Sequence, residues 1–214
     1  MPSSDILLNA FITLFVTVDP IGTAPLFLAL TTGLSTAVRR SIAIRGSVTS
    51  FAILSLFALT GTTILDTIGI TIDAFRIAGG LLLFFTAFEM IYGRRQERRE
   101  ETTQAAVSDR AADLAVFPLS IPLLAGPGAM SATILLSSQL SANEAINGYA
   151  AMGSLVAIIA LLMLLTATSL VIAEVLDKYL GTTGKLVLTR LLGVLLAALS
   201  VQYIADGIMA FATR

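Results

Sequence analysis

Long stretches without charge are what most constrain this chain. Between Asp5 and Arg39 the only charged residue is Asp19; Leu114 to Asn143 has none, and Ala145 to Ala173 has none. A soluble fold of 214 residues keeps much of its surface in water and must cover it with polar side chains. Here 13% of residues are charged and 56% hydrophobic, and the mean hydropathy is +0.91; an average soluble domain is about 25% charged. The composition excludes an ordinary soluble enzyme, a disordered regulator and a nucleic-acid binder. It leaves a chain whose solvent is lipid. The net charge of −1 offers no basic field to nucleic acid.

Six apolar segments can be read, at 6–30, 42–65, 71–92, 114–137, 145–173 and 186–211. Each is long enough to cross about 30 Å of hydrocarbon as a helix. Backbone groups in lipid must be satisfied within the segment, which selects helices, and the alternation of a membrane barrel is absent. The expected fold is all-α: one polytopic membrane domain over 1–214, with repeat 1 at 6–92, a linker at 93–113 and repeat 2 at 114–211. The start, Met1-Pro2-Ser3-Ser4-Asp5, has no basic region, so the first segment is expected to stay in the mature protein. With no Trp, interfacial anchoring falls to Tyr92, Tyr149, Tyr179 and Tyr203.

Lys and Arg set the expected orientation. Arg39, Arg40 and Arg45 flank the first loop. Arg94, Arg95, Arg98, Arg99 and Arg110 lie in the 93–113 tract, and Lys178, Lys185 and Arg190 flank the last loop. With six crossings, eleven of the thirteen basic residues share one side, and only Arg76 and Arg214 lie opposite. The positive-inside rule puts the eleven in the cytoplasm and both termini outside. The mixed charges of 93–113 read as a solvated, topology-setting linker that can carry a short surface helix.

The halves resemble each other. Pro20 and Pro127 are offset by 107, Arg76 and Arg190 by 114, and Gly79-Gly80 precedes a leucine pair as Gly193 does. Three crossings per half is an odd number, so the second half enters in the opposite sense: an inverted 3+3 repeat, frequent in secondary transporters. Five of the six prolines fall in two segments, Pro20 and Pro25 in the first and Pro118, Pro122 and Pro127 in the fourth, with Gly22, Gly126 and Gly128 beside them. Proline removes a donor and clashes with the preceding turn, so helices 1 and 4 are expected to break. Breaks at membrane depth must be covered by protein or line a cavity. Their N–H ends attract carboxylates and their carbonyl ends attract cations.

Asp19 is the only ionisable group deep in helix 1, and an intramembrane carboxylate is a functional candidate by default. It can cap the second half-helix near Gly22 and Thr23, pair with a substrate ammonium, or carry a coupling proton. Thr13, Thr17, Ser120, Ser131 and Thr133 could line the same cavity or simply bond to their own backbone. The candidate substrate or coupling set is Asp19, Pro20, Gly22, Thr23, Gly126, Pro127 and Gly128. Arg76 and Arg190 are candidate gates or snorkelling anchors, and Asp73 is placed to pair with Arg76. With no Cys and no His, thiol chemistry, imidazole bases and the usual transition-metal ligands are missing, and no cofactor is expected.

Asp19-Pro20-Ile21-Gly22-Thr23-Ala24-Pro25, Pro122-Leu123-Leu124-Ala125-Gly126-Pro127-Gly128 and the charged central tract together resemble the MarC family of bacterial inner-membrane proteins, within the LysE-type exporter superfamily. The resemblance covers nearly the whole chain. It departs at Thr23, where the family usually places Asn. It implies a multi-pass inner-membrane protein, whose outward termini, by the positive-inside rule, are then expected in the periplasm. It also implies proton-coupled transport of small neutral amino acids such as glycine and alanine. Glycine-walled breaks suit a zwitterion with a side chain of one or two carbons. A cation or metal-ion transporter and a structural or regulatory membrane protein remain alternatives. An intramembrane hydrolase lacks a base for its nucleophile. Protons are a candidate coupling ion, and the oligomeric state is open.

Overall fold

The computed structural model describes residues 4–108, 113–142 and 148–213. Arg110, Arg214 and the start of the fifth apolar segment at 145–147 lie outside them. The elements are α1 (Ser4–Val18), α2 (Pro20–Leu30), α3 (Thr36–Thr67), α4 (Ile72–Tyr92), α5 (Arg94–Ser108), an irregular wide-wound segment Ala115–Leu124, α6 (Pro127–Ser141), α7 (Gly148–Val171) and α8 (Ala173–Ala212). The described fold is all-α.

Among the described residues, five helical stretches are long and apolar enough to cross a bilayer: Asp5–Leu30, Thr36–Thr67, Ile72–Tyr92, Tyr149–Val171 and Thr183–Ala212. The pair Ala115–Leu124 and Pro127–Ser141, bent by 59°, makes a sixth if taken as one span. The two expected breaks therefore differ. α1 and α2 run on as one span, whereas the fourth segment bends by 59° at its break.

Burial ranks the spans. The most apolar window of Asp5–Leu30 is 67% buried, against 22–33% for the other four long spans. α1 and α2 thus occupy the centre with α6, whose Leu135 and Leu136 are buried. α3, α4, α7 and α8 turn residues such as Leu56, Phe85, Leu164 and Leu195 outward, as lipid-facing helices do. Association in lipid depends on close van der Waals contact rather than expulsion of water. Accordingly α4 lies along α8 through glycines: a Cβ on Gly80 would sit 3.0 Å from the Ser200 carbonyl, and one on Gly193 3.2 Å from that of Ala87. The α3 glycines receive the central elements, with Gly46 against Leu119 and Gly61 against Ile134.

Helix ends follow from local chemistry. Ser35 and Thr71 cap α3 and α4, accepting the N–H groups of Val38 (3.4 Å) and Ala74 (3.2 Å). Gly93, at φ 80°, ends α4 and turns the chain directly into α5. Gly181, at φ 57°, kinks α8 before its apolar stretch, and Asp177 and Lys185 pair across the kink. Tyr92, Tyr149 and Tyr179 are exposed, but Tyr203 is buried, so it is no part of an interfacial belt.

The 93–113 tract departs most from expectation. It does form a helix, but α5 is not simply solvated. Arg95, Arg99 and Thr103 are buried where it docks against α2, α4 and the Ala115–Leu124 segment.

Candidate functional site

Asp19 makes the first break. It adopts a left-handed conformation (φ 57°, ψ 67°), and its Oδ1 accepts the Gly22 N–H at 3.0 Å, capping α2. Pro20 is the first residue of α2, where a missing N–H costs nothing. Gly22 is required by crowding: a Cβ there would stand 2.2 Å from Asp19 Oδ2. The Thr23 hydroxyl donates back to the Asp19 carbonyl at 2.8 Å. Asp19 and Thr23 are both buried.

The second break is built differently. Phe117 and Ile121, each preceding a proline, are extended, and both X–Pro bonds are cis. The Ala125 N–H then bonds the Ser120 carbonyl at 2.8 Å, and Gly126 leads into Pro127, the first residue of α6. A Cβ on Gly126 would meet the Pro122 carbonyl at 2.5 Å. Where Asp19 supplies a carboxylate to α2, Gly126 supplies no side chain to α6. The partial positive charge of that helix end is left for something else to meet.

Two arginines of α5 join the breaks. Arg99 donates through Nη2 to the Leu123 carbonyl (2.9 Å) and the Val18 carbonyl (3.5 Å), and through Nη1 to Thr23 Oγ1 (3.1 Å); Nη1 lies 3.7 Å from Asp19 Oδ2. Arg95 donates to the Thr17 carbonyl and, at 2.9 Å, to Met90 Sδ. The guanidinium groups thus fill carbonyl ends of both broken helices, where the helix dipole favours a cation. Burial, and then the charge of Arg99, hold the Arg95 guanidinium down to about 9, so it is protonated at neutral pH. Burial lowers Arg99 too, against the opposing pull of Asp19. Arg98, more exposed, pairs with the buried Glu89 at 2.9 Å.

A cavity of about 300 Å³ lies beside this junction. Its wall includes Gly126, Pro127 and Gly128 at the start of α6, Thr17 and Thr86, and Arg95, Arg98 and Arg99. A second space of about 290 Å³ touches Gly22, Pro25, Glu89, Arg95 and Lys185. Arg95 borders both.

Asp19, Thr23 and Thr17, named from sequence, gather at one junction with the Gly126-Pro127-Gly128 turn; a Cβ on Gly128 would lie 3.4 Å from Thr17 Cγ2. Thr13, Thr17 and Thr133 bond to carbonyls four residues back, and Ser120 bonds to the Gly46 and Ala115 carbonyls, so those hydroxyls serve the helices. Arg76 pairs with Asp73 at 3.6 Å, whereas Arg190 is exposed. Glu89, near the C-terminal end of α4, is buried. Sequence reasoning missed Arg95 and Arg99. The available signal was their spacing: Arg95, Arg99 and Thr103 recur every four residues and form one helix face.

Residues 4–212 match the family described as MarC family integral membrane protein. The chain belongs to the MarC family. Among curated MarC-like relatives, a UPF0056 membrane protein of Archaeoglobus fulgidus is 36% identical over 202 residues, 93% of this chain and 90% of that one. The Bacillus subtilis UPF0056 membrane protein YvbG is 36% identical, covering 94% and 93%. The Escherichia coli protein YhcE, described in the same words, is 34% identical, covering 92% and 89%. No solved structure matches the chain. Family and fold agree on a membrane-embedded, multi-helix protein.

Proposed function

We propose that this MarC-family chain is a secondary transporter of small neutral amino acids, glycine- or alanine-like, across the inner membrane, within the LysE-type exporter superfamily. The observation that carries the reading is the meeting of two broken helices at one small cavity. A passive scaffold has no use for two interruptions at membrane depth, each costing hydrogen bonds. A transporter uses such ends to hold charge. The bare start of α6, with Gly126 and Gly128, suits the substrate carboxylate. Asp19 and the carbonyls of Thr17, Val18 and Leu123 are the acceptors an ammonium would seek, and Arg95 and Arg99 now occupy them.

α5 is then the element that must withdraw for the cavity to open on its side. Asp19 provides the coupling step: a proton on its carboxylate cancels the attraction to Arg99 and loosens α5. The packing of α4 along α8 and α3 along α7 supports an inverted 3+3 repeat of 6–92 and 114–211 around the linker, with periplasmic termini and a cytoplasmic α5. The Arg76–Asp73 pair suits a gate or anchor at the opposite surface, and exposed Arg190 an anchor. A cation transporter would want the same carbonyls and Asp19, but a bare cation leaves the uncapped start of α6 with nothing to hold.

The test is uptake of labelled glycine and alanine into proteoliposomes with and without an imposed pH gradient. Saturable, gradient-dependent uptake that Asp19→Asn reduces strongly is expected. Normal transport by Asp19→Asn, or no movement of either solute by folded wild type, would sink the reading.

A further inference from the structure

We propose that the cavity beside α6 is a carboxylate site that does not require an ammonium group, so that small monocarboxylates such as acetate and propionate bind there as well as amino acids do. This rests on the transporter reading only for its physiological meaning, because binding can be measured without transport.

Charge accounting around the junction carries the inference. Arg98 is matched by Glu89 at 2.9 Å and Arg99 by Asp19 at 3.7 Å. Arg95 has no carboxylate within ion-pair distance among the described residues; its recorded partners are the Thr17 carbonyl and the Met90 sulfur. It is 7% exposed. Asp19 and Glu89 favour its charge from beyond ion-pair distance, but each already pairs with another arginine, and among the described residues the cavity wall carries three arginines and no carboxylate; an anion is the nearest way to relieve that crowding of buried positive charge. The wall of the cavity that Arg95 borders also includes Gly126 and Gly128, where the start of α6 has no capping side chain. The helix end alone would mean little. Sharing one cavity wall of about 300 Å³ with the guanidinium groups of Arg95, Arg98 and Arg99, it makes an anion site with two kinds of donor.

The cation side of the same junction is already taken. Oxygen atoms that would hold an ammonium are bonded to Arg95 and Arg99, so in this state the protein supplies its own cation. Recognition then falls on the carboxylate. The mixed wall, with Pro127 and Ala129 beside Thr86, suits a short apolar tail better than an inorganic anion.

Thermal unfolding of the full-length protein in detergent tests this, titrating propionate, alanine, ethylammonium and chloride at constant ionic strength. Propionate and alanine are expected to raise the Tm with affinities within about tenfold of each other, a gap of about 1.4 kcal/mol. Ethylammonium and chloride should leave it unchanged. Arg95→Gln should weaken propionate about ten- to a hundredfold, the range of a lost charge-assisted hydrogen bond. If that variant does not fold, Gly128→Ala serves instead. Its Cβ, 3.2 Å from Thr86 Oγ1, narrows the carboxylate end without touching α5, and should abolish the propionate shift. Stabilisation by ethylammonium but not propionate, an equal effect of chloride, or propionate binding unaltered by both variants would overturn the proposal. Alanine transport without propionate binding would defeat this inference alone. Propionate binding without alanine transport would defeat the transporter reading alone.

Discussion

Asp19 holds two jobs that substitutions can separate. Its Oδ1 caps α2, and its charge faces Arg99. Asn keeps an acceptor and tolerates the left-handed backbone; Ala keeps neither. Asp19→Ala should therefore lower the Tm more than Asp19→Asn, losing a cap of about 0.5–2 kcal/mol that Asn retains. A similar Tm for the two would show that the cap contributes nothing. Gly22→Ala tests the same corner from the other side. Its Cβ would stand 2.2 Å from Asp19 Oδ2 and push the carboxylate out of its cap. A loss of about 1–3 kcal/mol, the usual cost of overpacking, is expected in chemical unfolding.

Among the helices, α5 brings its charge to the junction of the two breaks. Arg99→Gln leaves Asp19 buried without its cation and should destabilise the protein by about 3–5 kcal/mol; Arg94→Gln, on the exposed side, should change little. Adding Asp19→Asn to Arg99→Gln should restore part of the loss, because residue 19 is then no longer a buried charge deprived of its ion-pair partner. A double variant no better than Arg99→Gln would refute the pairing. The α4–α8 contact makes a separate forecast. Gly80→Ala drives a Cβ toward the Ser200 carbonyl and should lower the Tm. Gly153→Ala meets nothing within 4 Å and should be neutral or, by helix propensity of about 1 kcal/mol, slightly stabilising.

For the assembled protein, the strongest forecast concerns sidedness. A reporter fused after residue 214 should score periplasmic and one inserted in the 93–113 tract cytoplasmic. A cytoplasmic signal at the C-terminus would overturn the six-crossing arrangement. The chain has no Cys, so a single Cys at Thr17 makes a clean probe of α5. It should resist thiol reagents added from the α5 side in the wild-type background and react severalfold faster once Arg95 and Arg99 are both Gln. Equal rates would mean that α5 does not cover the junction.

Much of this protein was legible in its residues. Charge-free runs required helices in lipid, since an unpaired backbone group has no partner there. Proline with glycine marked both breaks, because each residue acts through its own backbone. Asp19, Gly22, Gly126 and Gly128 were found for that reason. The tertiary structure decided the rest. It made the first break a capped continuation and the second a 59° fold, although both carry Pro and Gly. Only Asp19, and not Gly126, has a side chain that can cap the helix that follows. It also moved Arg95 and Arg99 from an apparently solvated linker into the junction. No local pattern could announce that contact. A guanidinium is soluble in water and equally at home against carbonyl ends and a carboxylate, and which it meets depends on where α1, α2 and the Ala115–Leu124 segment leave theirs.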